Sequence, residues 1–250
     1  MSFNIFVHKT GAMTEISRYV SRGYSFYISG FIPAEKLHHF HDKISERYNF
    51  NLTKYQKAYQ KRKGNYNSHF ITYPRYNSLG FNWIILFTHD LSEVDKTENF
   101  YSIKSKNQRL MFTDRFELIE LPRKGNDTSW TWRIANDYYQ NLKQEISDSI
   151  RLKSKDNKLE IVLNSIHRLP GFRGIRNQIF QLRKFALVEY ERNNSKPYEN
   201  IKRKYIPFTR FQKFPVVNSE LVVERILKGK TPFKNEWKYP ENKLISMEKL

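Results

Sequence analysis

A chain of 250 residues is long enough for one extended domain or two modest ones, and a 39% hydrophobic content can fill a core, so disorder is excluded as the starting expectation. The 44 Lys and Arg against 25 Asp and Glu leave a net charge of +19, set among 19 Phe and 16 Tyr, and this pairing calls for a polyanion with stackable faces, nucleic acid. The absence of cysteine excludes disulfides, thiolate zinc sites and a cysteine nucleophile and suits a reducing, cytoplasmic setting, while no apolar run nears the roughly 20 residues of a membrane span.

Residues 1–20 carry His8, Lys9, Glu15 and Arg18 without a central apolar block, which reads as an unexported start. Residues 24–32 alternate, with Tyr24, Phe26, Ile28 and Ile32 on one side and Ser25, Tyr27, Ser29 and Phe31 on the other, and predict a core strand. Pro33 then suits a first helical position. Ala34, Leu37, Phe40, Ile44 and Tyr48 recur at steps of three and four, which predicts an amphipathic helix over 33–48. Residues 52–67 begin helical and finish as a basic loop at Gly64, and 69–73 and 81–89 are paired strands about a Pro74, Asn77, Gly80 turn.

Short strands follow at 109–112, 116–121 and 129–134, the last two joined by a turn over 122–127. From Asn136, a candidate cap, the period becomes helical through Tyr138, Leu142, Ile146 and Ile150; further helices are expected over 159–169, 175–192 and 219–227. The fold class expected is α+β. A mixed or antiparallel sheet, ferredoxin-like or RNA-recognition-like, fills the first half with one face under helix and the other open to nucleic acid. The organisation expected is a sheet domain over 1–135, a helical basic region packed on it over 136–195, and an extended aromatic and basic tail over 196–250.

Three segments combine cations with aromatic rings. Lys57, Lys61, Arg62, Lys63 and Arg75 lie among Tyr55, Tyr59, Tyr66, Phe70 and Tyr73. Arg168, Arg173, Arg176, Arg183 and Lys184 form the second group, a helical stripe near Gln178 opposite the Ile175, Ile179 and Leu182 seam, with Gly171 and Gly174 allowing close approach and free amides at the helix start favouring an anion. Lys202, Arg203, Lys204 and Arg210 alternate with Tyr198, Tyr205, Phe208 and Phe211 in the third. Charge counting favours the last hundred residues. The expected partner is RNA or single-stranded DNA, with other protein subunits of a nucleoprotein complex as a further partner and no membrane.

Catalytic groups are sparse. A His-x-His metal pair needs a strand, whereas His39 and His41 on a helix diverge by about 200°; His38 and His41 share a face and read as surface histidines. Acid-x-Lys triplets at Asp156, Glu236 and Glu241 are what a lysine-rich chain produces by chance, and His89-Asp90 at a strand end reads as a loop histidine capped by its neighbour. His69, beside Lys61 to Lys63 and Tyr73, keeps a metal-independent endoribonuclease of the guide-RNA-processing type as the alternative. Trp130 and Trp132 point to one strand face, as core wall or stacking platform. No glycine-rich phosphate loop, nucleophile elbow or dinucleotide fingerprint appears, and no cofactor or metal is expected.

Residues 19–24 (Tyr-Val-Ser-Arg-Gly-Tyr), 130–134 (Trp-Thr-Trp-Arg-Ile) and 170–176 (Pro-Gly-Phe-Arg-Gly-Ile-Arg) resemble stretches of uncharacterised proteins carried on bacterial conjugative elements and plasmids. The resemblance covers a small part of the chain. It implies a mobile genetic element as context and no known activity.

Overall fold

The computed structural model describes residues 2–75, 78–123, 127–151, 158–194 and 214–238. They form an α+β protein with antiparallel sheets, divided into one unit of residues 1–109 with 211–250 and a second of residues 110–210.

In the first unit β1 (Asn4–Phe6) leads into α1 (Lys9–Val20), β2 (Phe26–Pro33), a 3-10 turn at Ala34–Lys36, α2 (Leu37–Tyr48), α3 (Lys54–Arg62), β3 (Ser68–Pro74), β4 (Gly80–Phe87) and β5 (Tyr101–Ser102). The sheet order β3-β4-β2-β5, antiparallel throughout, is that of a ferredoxin-like fold, with β4 inserted between the two strands that α2 and α3 connect. The usual second helix is missing, since a run of turns over 90–100 joins β4 to β5. Alternation fixes which residues face α2: Ile28, Trp83, Ile85 and Phe87 pack on Ile44, Tyr48 and Phe50 as one core.

The opposite sheet face, expected to be open, is closed by α1. This helix buries Ala12, Met13, Ile16 and Val20 and packs on β3 and β4, while Tyr27, Ile71, Ile84 and Leu86 on that face are all buried. Gly11 lets the helix lie close against Phe6 and Phe214, which a Cβ there would meet at 2.8 and 2.9 Å. The gain is hydrophobic, each buried aliphatic side chain contributing about 1.5–3 kcal/mol.

The same unit is completed by β9 (Val216–Asn218), α7 (Ser219–Leu227) and α8 (Asn235–Lys238). β9 pairs antiparallel with β1, Ile5 opposite Val217, so that Ile5 and Val7 join Val222, Val223, Ile226 and Phe233 in a second core.

The second unit is a meander of β6 (Met111–Phe112), β7 (Phe116–Pro122) and β8 (Thr128–Ile134), in that order, with α4 (Asn136–Arg151), α5 (Lys158–His167) and α6 (Arg173–Asn194). The amide of Tyr139 donates to the Ala135 carbonyl at 2.9 Å, so Ala135 occupies the cap and Asn136 the first helical position. Ile175, Ile179, Leu182 and Ala186 form the buried seam of α6. Trp132 is fully buried, edge-on to Phe112 at 6.0 Å, and is core wall. Gln178 reaches β8, an edge strand, where its amide nitrogen donates to the Ile134 carbonyl (3.0 Å) and its oxygen accepts from the Ile134 amide (2.6 Å).

Candidate nucleic-acid interface

The helix α3 carries Lys54, Lys57, Lys61 and Arg62, with Lys63 at its C-cap, and has no acidic and no buried residue. Thr53 starts it with a capping box: its hydroxyl accepts from the Gln56 amide (3.3 Å) and the Gln56 side chain accepts from the Thr53 amide (2.8 Å). Lys57 is the anchor. Its ammonium donates to the Ser68 carbonyl (3.2 Å), its carbonyl accepts from the Asn67 side chain (3.0 Å), and burial lowers its pKa. The remaining cations are exposed, and none of the five forms an ion pair among the described residues. Tyr55 and Tyr59 project beside them at 85% and 49% exposure, with the Lys63 ammonium 4.7 Å from the Tyr59 ring. A solvated lysine helix has no reason to display two tyrosines, which lose hydrophobic burial there.

The cations of α6 behave differently. Arg173 donates to the carbonyls of Leu121 (2.8 Å) and Pro122 (2.9 Å), tying the helix to the end of β7. Arg176 and Arg183 are half-buried and partnered, burial lowering the Arg183 pKa, and Gln178 is committed to Ile134. Gly174 brings α6 close to its own sheet rather than to a ligand, because a Cβ there would meet the Trp132 carbonyl oxygen at 2.5 Å; its amide faces the Thr131 hydroxyl at 3.4 Å. Arg168 and Lys184 are exposed. Carboxylates also balance this unit: Arg133 pairs with Glu117 (2.6 Å), and Arg151 and Arg192 with Glu189. Lys202, Arg203, Lys204 and Arg210 lie outside the described residues.

His69 lies on β3 facing α1. Its Nε2 is 3.4 Å from Glu15 Oε1, its ring stacks on Tyr19 at 3.6 Å between centroids, and the same Glu15 accepts from Arg18 at 2.5 Å. Burial, followed by the Lys57 charge, lowers the His69 pKa against the opposing pull of Glu15. Glu15 in turn is held below the usual carboxylate range: burial works against this, and the His69 and Arg18 contacts prevail. The cations whose charge acts on His69 are therefore Lys57 and Arg18 and the ring stacked on it is Tyr19, where Lys61 to Lys63 and Tyr73 were expected. Tyr73 is four residues further along the strand, about 13 Å away, its hydroxyl donating to the Val7 carbonyl at 3.4 Å. Burial pushes its pKa up to about 12. Sequence reasoning missed Glu15, Arg18 and Tyr19 because it left α1 unassigned; the four-residue repeat of Ala12, Ile16 and Val20 was the available signal.

The other candidates resolve simply. His89 is exposed, its Nδ1 2.8 Å from the Thr88 hydroxyl, while Asp90 accepts from the Ser92 amide. Arg75 is exposed over the Phe31 ring at 5.5 Å. His38 meets the Ser219 hydroxyl at 3.0 Å. His41 is no surface residue: it is 3% exposed, stacked on Phe3 at 4.2 Å and edge-on to Phe50 and Phe70. Glu236 pairs with Lys234 at 3.3 Å, and Asp156 and Glu241 lie outside the described residues. Among the described residues no group of three or more His, Asp or Glu is placed to hold a metal ion, and no helix is long and apolar enough to cross a membrane.

No protein family, no curated protein and no solved structure was found to match this chain.

Proposed function

We propose that the chain binds nucleic acid, RNA or single-stranded DNA, with α3 as the principal contact. The observation that supports this is an acid-free helix displaying four exposed cations, Lys54, Lys61, Arg62 and Lys63, beside two exposed tyrosines: cations release counterions from phosphates and the rings stack on unpaired bases. A cytoplasmic location goes with this reading, supported by the lack of cysteine, as does a place in a nucleoprotein complex of a bacterial mobile element, supported by the three short resemblances. Replacing Lys61, Arg62 and Lys63 together by Ala should lower affinity for a single-stranded oligonucleotide by at least about tenfold and reduce the log-log salt slope by about 2, measured by fluorescence anisotropy. An unchanged slope would remove α3 from the interface.

The Glu15–His69 pair supports a second reading, metal-independent RNA cleavage. With Nε2–H directed at Glu15, His69 offers Nδ1 as base; depressed by burial, it is neutral near pH 7. It would take the proton of a 2′-hydroxyl, whose oxygen attacks the adjacent phosphorus, and the 5′-oxygen would leave with a proton from water as a 2′,3′-cyclic phosphate forms. Lys57 supplies positive charge near the developing dianion. Cleavage of a structured RNA in the presence of a chelator, lost in His69→Ala while binding persists, is the expected result; RNA left intact after long incubation with the unaltered protein excludes it.

A further inference from the structure

A pocket of about 740 Å³ lies in the first unit, where the start of α1, the end of β3, the loop after α7 and α8 converge. The volume is in the range that holds a nucleotide-sized ligand. Four cations line it, Lys9 from α1, Arg75 just past β3, Lys230 from the loop and Lys238 from α8, with the His8 ring beside them. No Asp or Glu is among the described lining residues. Like charges gathered around one hollow repel each other, and an anion seated among them relieves that cost. An inorganic anion would satisfy the charges but leave the rest of the wall unused. That wall is apolar and aromatic, with Tyr73 and Phe233 5.9 Å apart at 42°.

The walls are also braced. Tyr73 is fixed through its bond to the Val7 carbonyl, His8 Nε2 lies 2.9 Å from the Lys238 carbonyl oxygen, and Arg225 donates to the Thr231 carbonyl at 2.9 Å, holding the 229–233 loop from behind. Such a hollow is preformed for a ligand that is anionic at one end and flat and apolar at the other.

From this cationic hollow with its aromatic wall we infer that the pocket binds a nucleoside phosphate, the phosphate among Lys9, Arg75, Lys230 and Lys238 and the base against Tyr73 and Phe233. The inference deepens the nucleic-acid reading, and two sources share its chemistry: the phosphorylated end of a bound strand and a free mononucleotide. Anisotropy titrations of one single-stranded oligonucleotide with and without a 5′ phosphate, together with calorimetric titrations of adenosine monophosphate, adenosine and inorganic phosphate, separate them. If the strand end is the ligand, the 5′-phosphorylated oligonucleotide binds about tenfold tighter, and Lys230→Ala combined with Lys238→Ala erases the difference without altering affinity for the hydroxyl form. If a free nucleotide is the ligand, adenosine monophosphate binds, adenosine and inorganic phosphate bind at least about tenfold more weakly, and the oligonucleotides are not distinguished. The unaltered protein alone decides the matter should the double variant fail to fold. Equal binding of both oligonucleotides with no uptake of adenosine monophosphate overturns the pocket while leaving nucleic-acid binding intact. Failure of both oligonucleotides to bind sinks the nucleic-acid reading, and adenosine monophosphate then tests the pocket by itself. Inorganic phosphate bound as tightly as the nucleotide overturns the role given to the aromatic wall.

Discussion

His41 stacked on Phe3 shows how one residue can mislead a pattern. The buried face of α2 runs through Leu37, His41, Ile44 and Tyr48, steps of four, three and four, and a histidine counted as polar hides the stripe. Phe40, chosen in its place by the sequence, is only half-buried against Trp83. The burial of His41 has a thermodynamic signature. Desolvation lowers its pKa, against the opposing pull of Asp42, so the folded chain takes up a proton less readily than the unfolded chain does. His69 is shifted in the same direction. The unfolded state therefore binds more protons below about pH 6.5, and the stability contributed by neutral His41 is present above that value and lost as pH falls through the folded pKa. We expect the melting temperature to fall between pH 7 and 5.5 and to fall less steeply in His41→Gln. Parallel curves for the two proteins would show that His41 takes no part.

At the scale of elements, β2, β3, β4, β7, β8 and the helices from α4 to α7 were legible from their apolar patterning, and α2 from Leu37, Ile44 and Tyr48 despite the histidine between them. α1 was passed over, since Gly11 on its buried face carries no apolar side chain and the repeat of Ala12, Ile16 and Val20 is sparse, and β1, β5 and β9 are too short for any period to show. These omissions mattered for the site: without α1 the sheet looked like an open platform, and His69 had no Glu15. The α6 stripe has structural partners that its spacing does not reveal. Cations at helical spacing opposite an apolar seam suggested a phosphate track, yet Arg173 ends on two carbonyls and Gly174 on the Trp132 backbone. Gly174→Ala must push helix and strand apart, and we expect it to cost about 1–3 kcal/mol, read as a lower urea midpoint with an unchanged slope. A midpoint equal to that of the unaltered chain would mean that α6 shifts freely on β8.

For the whole molecule, the net +19 sets an expectation of an anionic partner and says little about where on the surface it would be met. Counting along the chain favoured its last hundred residues, but ion pairing depends on neighbours in space. Glu117 and Glu189 draw in Arg133, Arg151 and Arg192, while α3, from the less basic part of the sequence, keeps its cations without a carboxylate among the described residues. The pocket was equally hidden, since its walls come from sequence positions near 9, 75, 230 and 238. β1 finds its partner in β9, some two hundred residues later, and the whole of the second unit falls between them. During synthesis the second unit is complete when its last residue emerges from the ribosome, whereas Ile5, Val7 and Phe81 must wait for α7 before their core can close. A ribosome that stalls between the two events releases a chain with a finished later half and an unsealed earlier one, and that is where a chaperone would be needed.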